Sequence, residues 1–88
     1  MHIEQTPTFR RAYKKLHPNQ RQAVNEAVRA IVDDPLSGEE KRGDLSKVFV
    51  YKFECVDQQY LLAYRWDEDW RLLLALGPHE NFYRDMKR

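Results

Sequence analysis

The side chains best suited to chemistry lie near the carboxyl terminus, in the stretch LLLALGPHENFYRDMKR, residues 72–88. His79, Tyr83 and Lys87 are spaced four apart, so a helix that begins after Gly77-Pro78 would place them on one face. An imidazole, a phenol and an amine together can accept a proton, donate one and stabilise charge. The alternative is structural: a histidine that caps a turn and a tyrosine that packs with a wet hydroxyl.

Two cations interrupt strands that are otherwise apolar. Arg65 lies in QYLLAYRW, residues 59–66, and alternation places it on the side of the strand opposite the large aromatic residues. Lys52 lies in KVFVYKFE, residues 47–54, on the side of the strand that also carries two valines. Such cations either have a functional role or simply reach past their neighbours into water. Both interpretations remain open at this stage.

Composition limits the classes of protein that fit. The chain has 88 residues and a formal net charge of +1, from 15 Lys+Arg against 14 Asp+Glu, which favours neither nucleic acid nor membrane as a partner. Its one cysteine excludes an internal disulfide, and its three histidines lack metal-ligand spacing, so we expect no metal and no cofactor. No segment approaches the roughly 20 apolar residues of a membrane helix. We therefore expect a cytoplasmic protein of one domain, residues 1–88.

The pattern along the chain predicts an α+β fold, with two amino-terminal helices packed on a small antiparallel sheet and a short carboxyl-terminal helix or turn. Thr6 is expected to cap the first helix and Asn19 the second. Residues 34–45 are rich in Pro and Gly and are expected to form a loop. Strands are expected in MHIEQ (1–5), as an edge strand, and in the segments 47–54, 59–66 and 70–77.

The order of these pieces resembles one known family. The helix pair, the loop DPLSGEEKRGDL, the strands VFVYKFE and YLLAYR, and the ending LLLALGPHENFYRDMK are similar to the RelE/ParE superfamily of toxins from bacterial type II toxin–antitoxin modules. The resemblance covers essentially the whole chain. It implies a cognate antitoxin that blocks the toxin. RelE-like members cleave mRNA in the ribosomal A site without a metal, whereas ParE-like members poison DNA gyrase.

The resemblance also implies roles for particular residues. His79 would be the general base or acid, and Tyr83 would stack on the target base or orient the nucleophile. Arg65 would stabilise the pentacoordinate phosphate, with Lys52 as a further cation, although it stays open whether His79 or Lys52 is the acid. The residues expected to grip rRNA or the mRNA backbone are Lys41, Arg42, Lys47 and Lys87.

The resulting hypothesis is a toxin that acts as a ribosome-dependent mRNA endoribonuclease. Two alternatives remain: a gyrase-poisoning toxin without nuclease activity, and an inactive homologue that only binds an antitoxin. RelE carries cations at two positions where this chain has Val50 and Leu61. The nuclease hypothesis makes one geometric prediction, that Arg65, His79 and Tyr83 surround a single phosphate.

Overall fold

A computed structural model describes residues 1–41 and 47–80 and has the predicted α+β architecture. Two helices pack on a five-stranded, mostly antiparallel sheet with the strand order β1-β5-β4-β3-β2. Three residues of the predicted site, Arg42, Tyr83 and Lys87, lie outside the described residues. The elements are β1 (His2–Gln5), α1 (Pro7–Lys14), α2 (Pro18–Asp33), a 3₁₀ helix (Pro35–Ser37), β2 (Glu39–Lys41), β3 (Val48–Glu54), β4 (Gln59–Asp67) and β5 (Trp70–Pro78).

Both helices begin at a proline. The Thr6 hydroxyl accepts a hydrogen bond from the backbone N–H of Phe9 at 3.1 Å, which confirms Thr6 as the cap of α1. The capping residue of α2 is His17 and not Asn19, so that expectation was wrong. Proline favours the first helical position because its missing N–H has no partner there, and Pro18 therefore places the cap of α2 two residues earlier than expected.

The sheet contains one strand more than the sequence predicted. The antiparallel pairing of β3, β4 and β5 and the edge position of β1 are confirmed, with β1 parallel to β5. The segment Glu39–Lys41, expected to be loop, pairs antiparallel with β3 as β2. Two glutamates and a lysine have low strand propensity, so pairing with β3 rather than local preference makes this segment extended.

Each face of the sheet buries its own cluster. On the helix side, strand residues such as Leu62 and Leu73 meet the buried stripe of α2. Alternation along the strands places the second cluster on the opposite face. That cluster is smaller and consists of Val50, Leu61, Ala63 and Ala75.

A buried arginine ties the end of α2 to the sheet. Arg71 is 3% exposed, and its guanidinium donates to the carbonyls of Ile31 at 2.8 Å and Val32 at 3.0 Å, in the last turn of α2. It also donates to the carbonyls of Asp67 at 2.7 Å and Trp70 at 3.0 Å, around the β4–β5 turn. The last carbonyls of a helix lack partners within it and carry partial negative charge, so the cation both satisfies and complements them.

The strand β5 runs further than the sequence suggested. Pro78, expected to start a helix, is instead the last residue of β5 and pairs with Tyr60. The next N–H, of His79, donates to the Gln59 carbonyl of β4 at 3.0 Å. Because N–H groups alternate in direction along a strand, the missing N–H of Pro78 falls on the side of β1. There β1 pairs only with residues 70–73, so the proline costs no hydrogen bond.

Candidate functional site

The sheet face opposite the helices, called the open face below, carries three of the predicted site residues. Lys52 pairs with Leu61, Arg65 pairs with Leu72, and the backbone of His79 bonds to Gln59. These register positions fall on the same side of the sheet, and Lys52, Arg65 and His79 are all exposed.

The register does not bring Arg65 and His79 together. Gln59, which binds the His79 backbone, and Arg65 are six residues apart on β4. At about 3.3 Å per residue, the two positions are about 20 Å apart along the strand. Lys52 lies between them, opposite Leu61 and about 7 Å along the strand from Gln59. The described site residues therefore form a strip along the open face rather than a ring around one phosphate.

The centre of this strip is apolar. Leu61 and Ala63 are fully buried, and Val50 is 3% exposed. The side chains of Lys52 and Arg65 therefore lie on either side of the apolar pair formed by Val50 and Ala63.

A local ion pair engages Lys41, one of the residues predicted to grip RNA. Its ammonium donates to the Glu39 carboxylate at 2.7 Å. This bond and the charge of Lys41 lower the pKa of the Glu39 carboxyl below its ordinary value, and Lys52 contributes in the same direction. Lys47, also predicted to grip RNA, is exposed and lines a cleft together with Arg65.

Two features are absent from the described residues: a cluster of metal-binding side chains and a helix that could span a membrane. Residues 1–41 and 47–80 contain no group of three His, Cys, Asp or Glu side chains arranged to hold a metal ion. No helix within those ranges is both long and apolar enough to cross a membrane.

Sequence reasoning missed the role of two kinds of residue. Arg71 was predicted only to lie in an apolar strand. Its partners are backbone carbonyls, which every residue has, so the sequence does not show which of them Arg71 binds. Trp66 and Trp70 were not among the predicted site residues, yet both line the cleft with Arg65. The signal available in the sequence was their position on either side of the turn DED, which places the two indoles at one end of the sheet.

Comparison with solved structures shows the same fold in known toxins. The RelBE2 toxin–antitoxin complex from Mycobacterium tuberculosis contains a chain 28% identical to this one, with a TM-score of 0.74, covering 89% of this chain and 96% of that chain. A YoeB/ParE toxin from Agrobacterium tumefaciens is 15% identical with a TM-score of 0.73, covering 90% of this chain and 99% of that chain. The YoeB dimer from Staphylococcus aureus is 16% identical with a TM-score of 0.71, covering 90% and 97%.

The comparison with protein families is more specific than the comparison of folds. No curated protein sequence matches the chain significantly. The family described as ParE-like toxin of type II bacterial toxin-antitoxin system matches residues 3–87, nearly the whole chain. The resemblance found in the sequence is thus confirmed, and the chain belongs to the ParE-like toxins of bacterial type II toxin–antitoxin systems, within the RelE/ParE superfamily.

Proposed function

We propose that this toxin cleaves mRNA on the ribosome, using the open face of its sheet. The observation that carries the proposal is the exposure of Lys52 and Arg65 on that face, with the exposed His79 beside its end, where its backbone N–H bonds to Gln59. Within the described residues, the side chains of Arg65 and His79 make no hydrogen bond or ion pair that would explain them structurally. Exposed cations such as Lys52 and Arg65 on one face are suited to bind a phosphate backbone.

The chemistry would need only groups that the chain itself supplies. A base, His79 or Lys52, would take the proton from a ribose 2′-hydroxyl, and the oxygen would attack the adjacent phosphorus. The bond to the 5′-oxygen would then break as an acid gives that oxygen a proton. The products are a 2′,3′-cyclic phosphate and a 5′-hydroxyl. Because Arg65 lies about 20 Å along the strand from His79, it would bind the message away from the reacting phosphate.

A cognate antitoxin is the expected partner. The M. tuberculosis RelBE2 structure is a toxin–antitoxin complex, and so is the E. coli RelBE structure, which shares this fold. In this chain Tyr51, Trp66 and Trp70 are only half-buried, which leaves aromatic surface for an antitoxin segment to cover. Action on the ribosome would place the protein in the cytoplasm.

The nuclease proposal is tested in a translation extract with a defined message. The wild-type chain should cleave the message only when ribosomes translate it, and His79→Ala should reduce cleavage by roughly a hundredfold or more. Arg29→Ala is the matched control, since it removes a cation from the exposed side of α2 and should cleave normally. An intact message with the wild-type chain would refute the proposal.

A second candidate function is gyrase poisoning, as in ParE-like toxins. It is favoured by Val50 and Leu61, which stand where RelE has two cations and leave the centre of the open face uncharged, and by the separation of Arg65 from His79. Induced cells would then filament and accumulate DNA damage while their messages stay intact. Degraded messages without DNA damage would exclude this candidate.

A further inference from the structure

A cleft opens at the end of the sheet farthest from His79. β4 pairs with β3 as far as Tyr64, but with β5 as far as Asp67. Residues 65–67 of β4 therefore extend beyond the part of the strand that pairs with β3, and a cavity of about 270 Å³ lies beside them. Its lining among the described residues consists of three aromatic and three charged side chains: Phe49, Trp66, Trp70, Glu40, Lys47 and Arg65.

The aromatic wall of the cleft is held rigidly in place. The Phe49 and Trp66 rings pack edge to face, with centroids 5.8 Å apart and an angle of 70°. The Arg71 guanidinium lies 5.8 Å from the centroid of the Trp66 ring and is itself fixed by its carbonyl partners. A ring held in this way loses little conformational entropy when a ligand packs on it, which favours affinity.

The rim of the cleft has an excess of positive charge. Among the described lining residues, the exposed cations Arg65 and Lys47 are set against one carboxylate, that of Glu40. Lys47 has a φ of 68°, in the left-handed region that a lysine rarely adopts, and such conformations concentrate at ligand sites. A carboxylate beside a planar wall can accept hydrogen bonds from an exocyclic amino group.

We propose that this cleft binds one nucleotide of single-stranded RNA, with its base against Trp66 and Trp70 and its phosphate on Arg65 and Lys47. Aromatic rings flanked by cations are the usual means of holding single-stranded nucleic acid. The inference rests on the proposed function in taking RNA as the ligand, but it concerns a different set of residues. Arg65 becomes a substrate-binding residue that anchors the message about 20 Å along the strand from His79.

The two tryptophans make this proposal directly measurable. They are the only two in the chain and both line the cleft, so the indole emission includes a response to a ligand bound there, although Trp70 also borders a pocket beside His2. A short oligocytidylate added to the full chain should quench the emission. An abasic strand of the same length keeps the phosphates but has no bases, and it should leave the emission unquenched.

Substitutions distinguish the contribution of base stacking to RNA binding from the contribution of positive charge. Trp70→Leu should weaken binding of labelled oligocytidylate roughly 5- to 150-fold, the loss of affinity expected when one base–aromatic stacking interaction is removed. Lys47→Ala makes no change in the core, and it should lower affinity and reduce the dependence of binding on salt. Arg29→Ala, which also removes one positive charge but lies on α2, should bind as the wild type does.

The outcomes distinguish this proposal from the nuclease. Quenching by oligocytidylate without cleavage in the translation extract would support the cleft and refute the nuclease. Cleavage that persists while Trp70→Leu and Lys47→Ala bind RNA normally would overturn the cleft alone. Equal quenching by the abasic strand would overturn base stacking. Emission that responds to a purified antitoxin but not to RNA would assign the cleft to a protein ligand and overturn the proposal.

Discussion

Replacing Arg71 with alanine should destabilise the fold by about 3 kcal/mol. Its guanidinium makes four hydrogen bonds to carbonyls, of which those to Ile31 and Val32 lie at the helix end. Net contributions of hydrogen bonds with a charged partner are about 1.5–3 kcal/mol each. The bonds to Asp67 and Trp70 are at a turn, where water can replace the lost donor. Counting mainly the two at α2 gives roughly 3 kcal/mol.

Urea unfolding, followed by circular dichroism, measures this loss. The urea concentration at the midpoint should fall, with little change in the slope of the unfolding free energy against urea concentration. Tm should fall by about 15 °C for a domain of this size. Arg65→Ala is a matched control, since it removes the same side chain from an exposed position and should stay within about 0.5 kcal/mol of the wild type. Equal, small effects of the two substitutions would refute the assignment of Arg71 as the residue that holds α2.

Three further stability predictions follow from the described contacts. Gly38→Ala should cost about 1–3 kcal/mol of unfolding free energy, because the new Cβ would lie 2.6 Å from the Tyr64 hydroxyl. That hydroxyl is held in place, since it donates to the Pro35 carbonyl at 2.6 Å and accepts from the Gly38 N–H. If the double variant with Tyr64→Phe loses the full sum of the two single effects, the clash is refuted. Thr6→Ala should cost about 1–2 kcal/mol in urea unfolding, whereas Thr6→Ser should cost much less. Burial raises the pKa of the Cys55 thiol above its ordinary 9.0 and that of the Tyr64 phenol above 10.0, so the unfolded chain ionises first. The contribution of these two groups to the free energy of unfolding should therefore be steady below about pH 9, and above it the free energy of unfolding should decrease; a stability that increases there would contradict the burial of both groups.

The strands were predictable wherever alternation was strong. In β3 and β4 the aromatic residues share one face of each strand, as their spacing predicted, and the structure shows that this face packs against the helices. The strand β2 was not predictable, because its residues have low strand propensity and only the neighbouring β3 makes them extended. Pro78 was misassigned for a similar reason, since the free side of β5 that accommodates a proline exists only in the folded sheet.

Alternation along the strands predicted which face of the sheet carries Lys52 and Arg65, but not how far the candidate residues lie from one another. Spacing along β4 indicated that Arg65 shares a face with Leu61 and Ala63, and the pairing agrees. The separation of Arg65 from His79 depends on which residue of β4 meets the end of β5, and this register is set by tertiary pairing. The sequence therefore identified the cations of the open face and misjudged how they are grouped.

The chemistry of the RNA ends tests the central claim most directly. Message cleaved by the wild-type chain in a translation extract should carry a 2′,3′-cyclic phosphate on the upstream fragment and a 5′-hydroxyl on the downstream one. His79→Ala should remove both products, while Arg29→Ala should leave them. Uncut message, or fragments with 3′-hydroxyl and 5′-phosphate ends, would contradict the account.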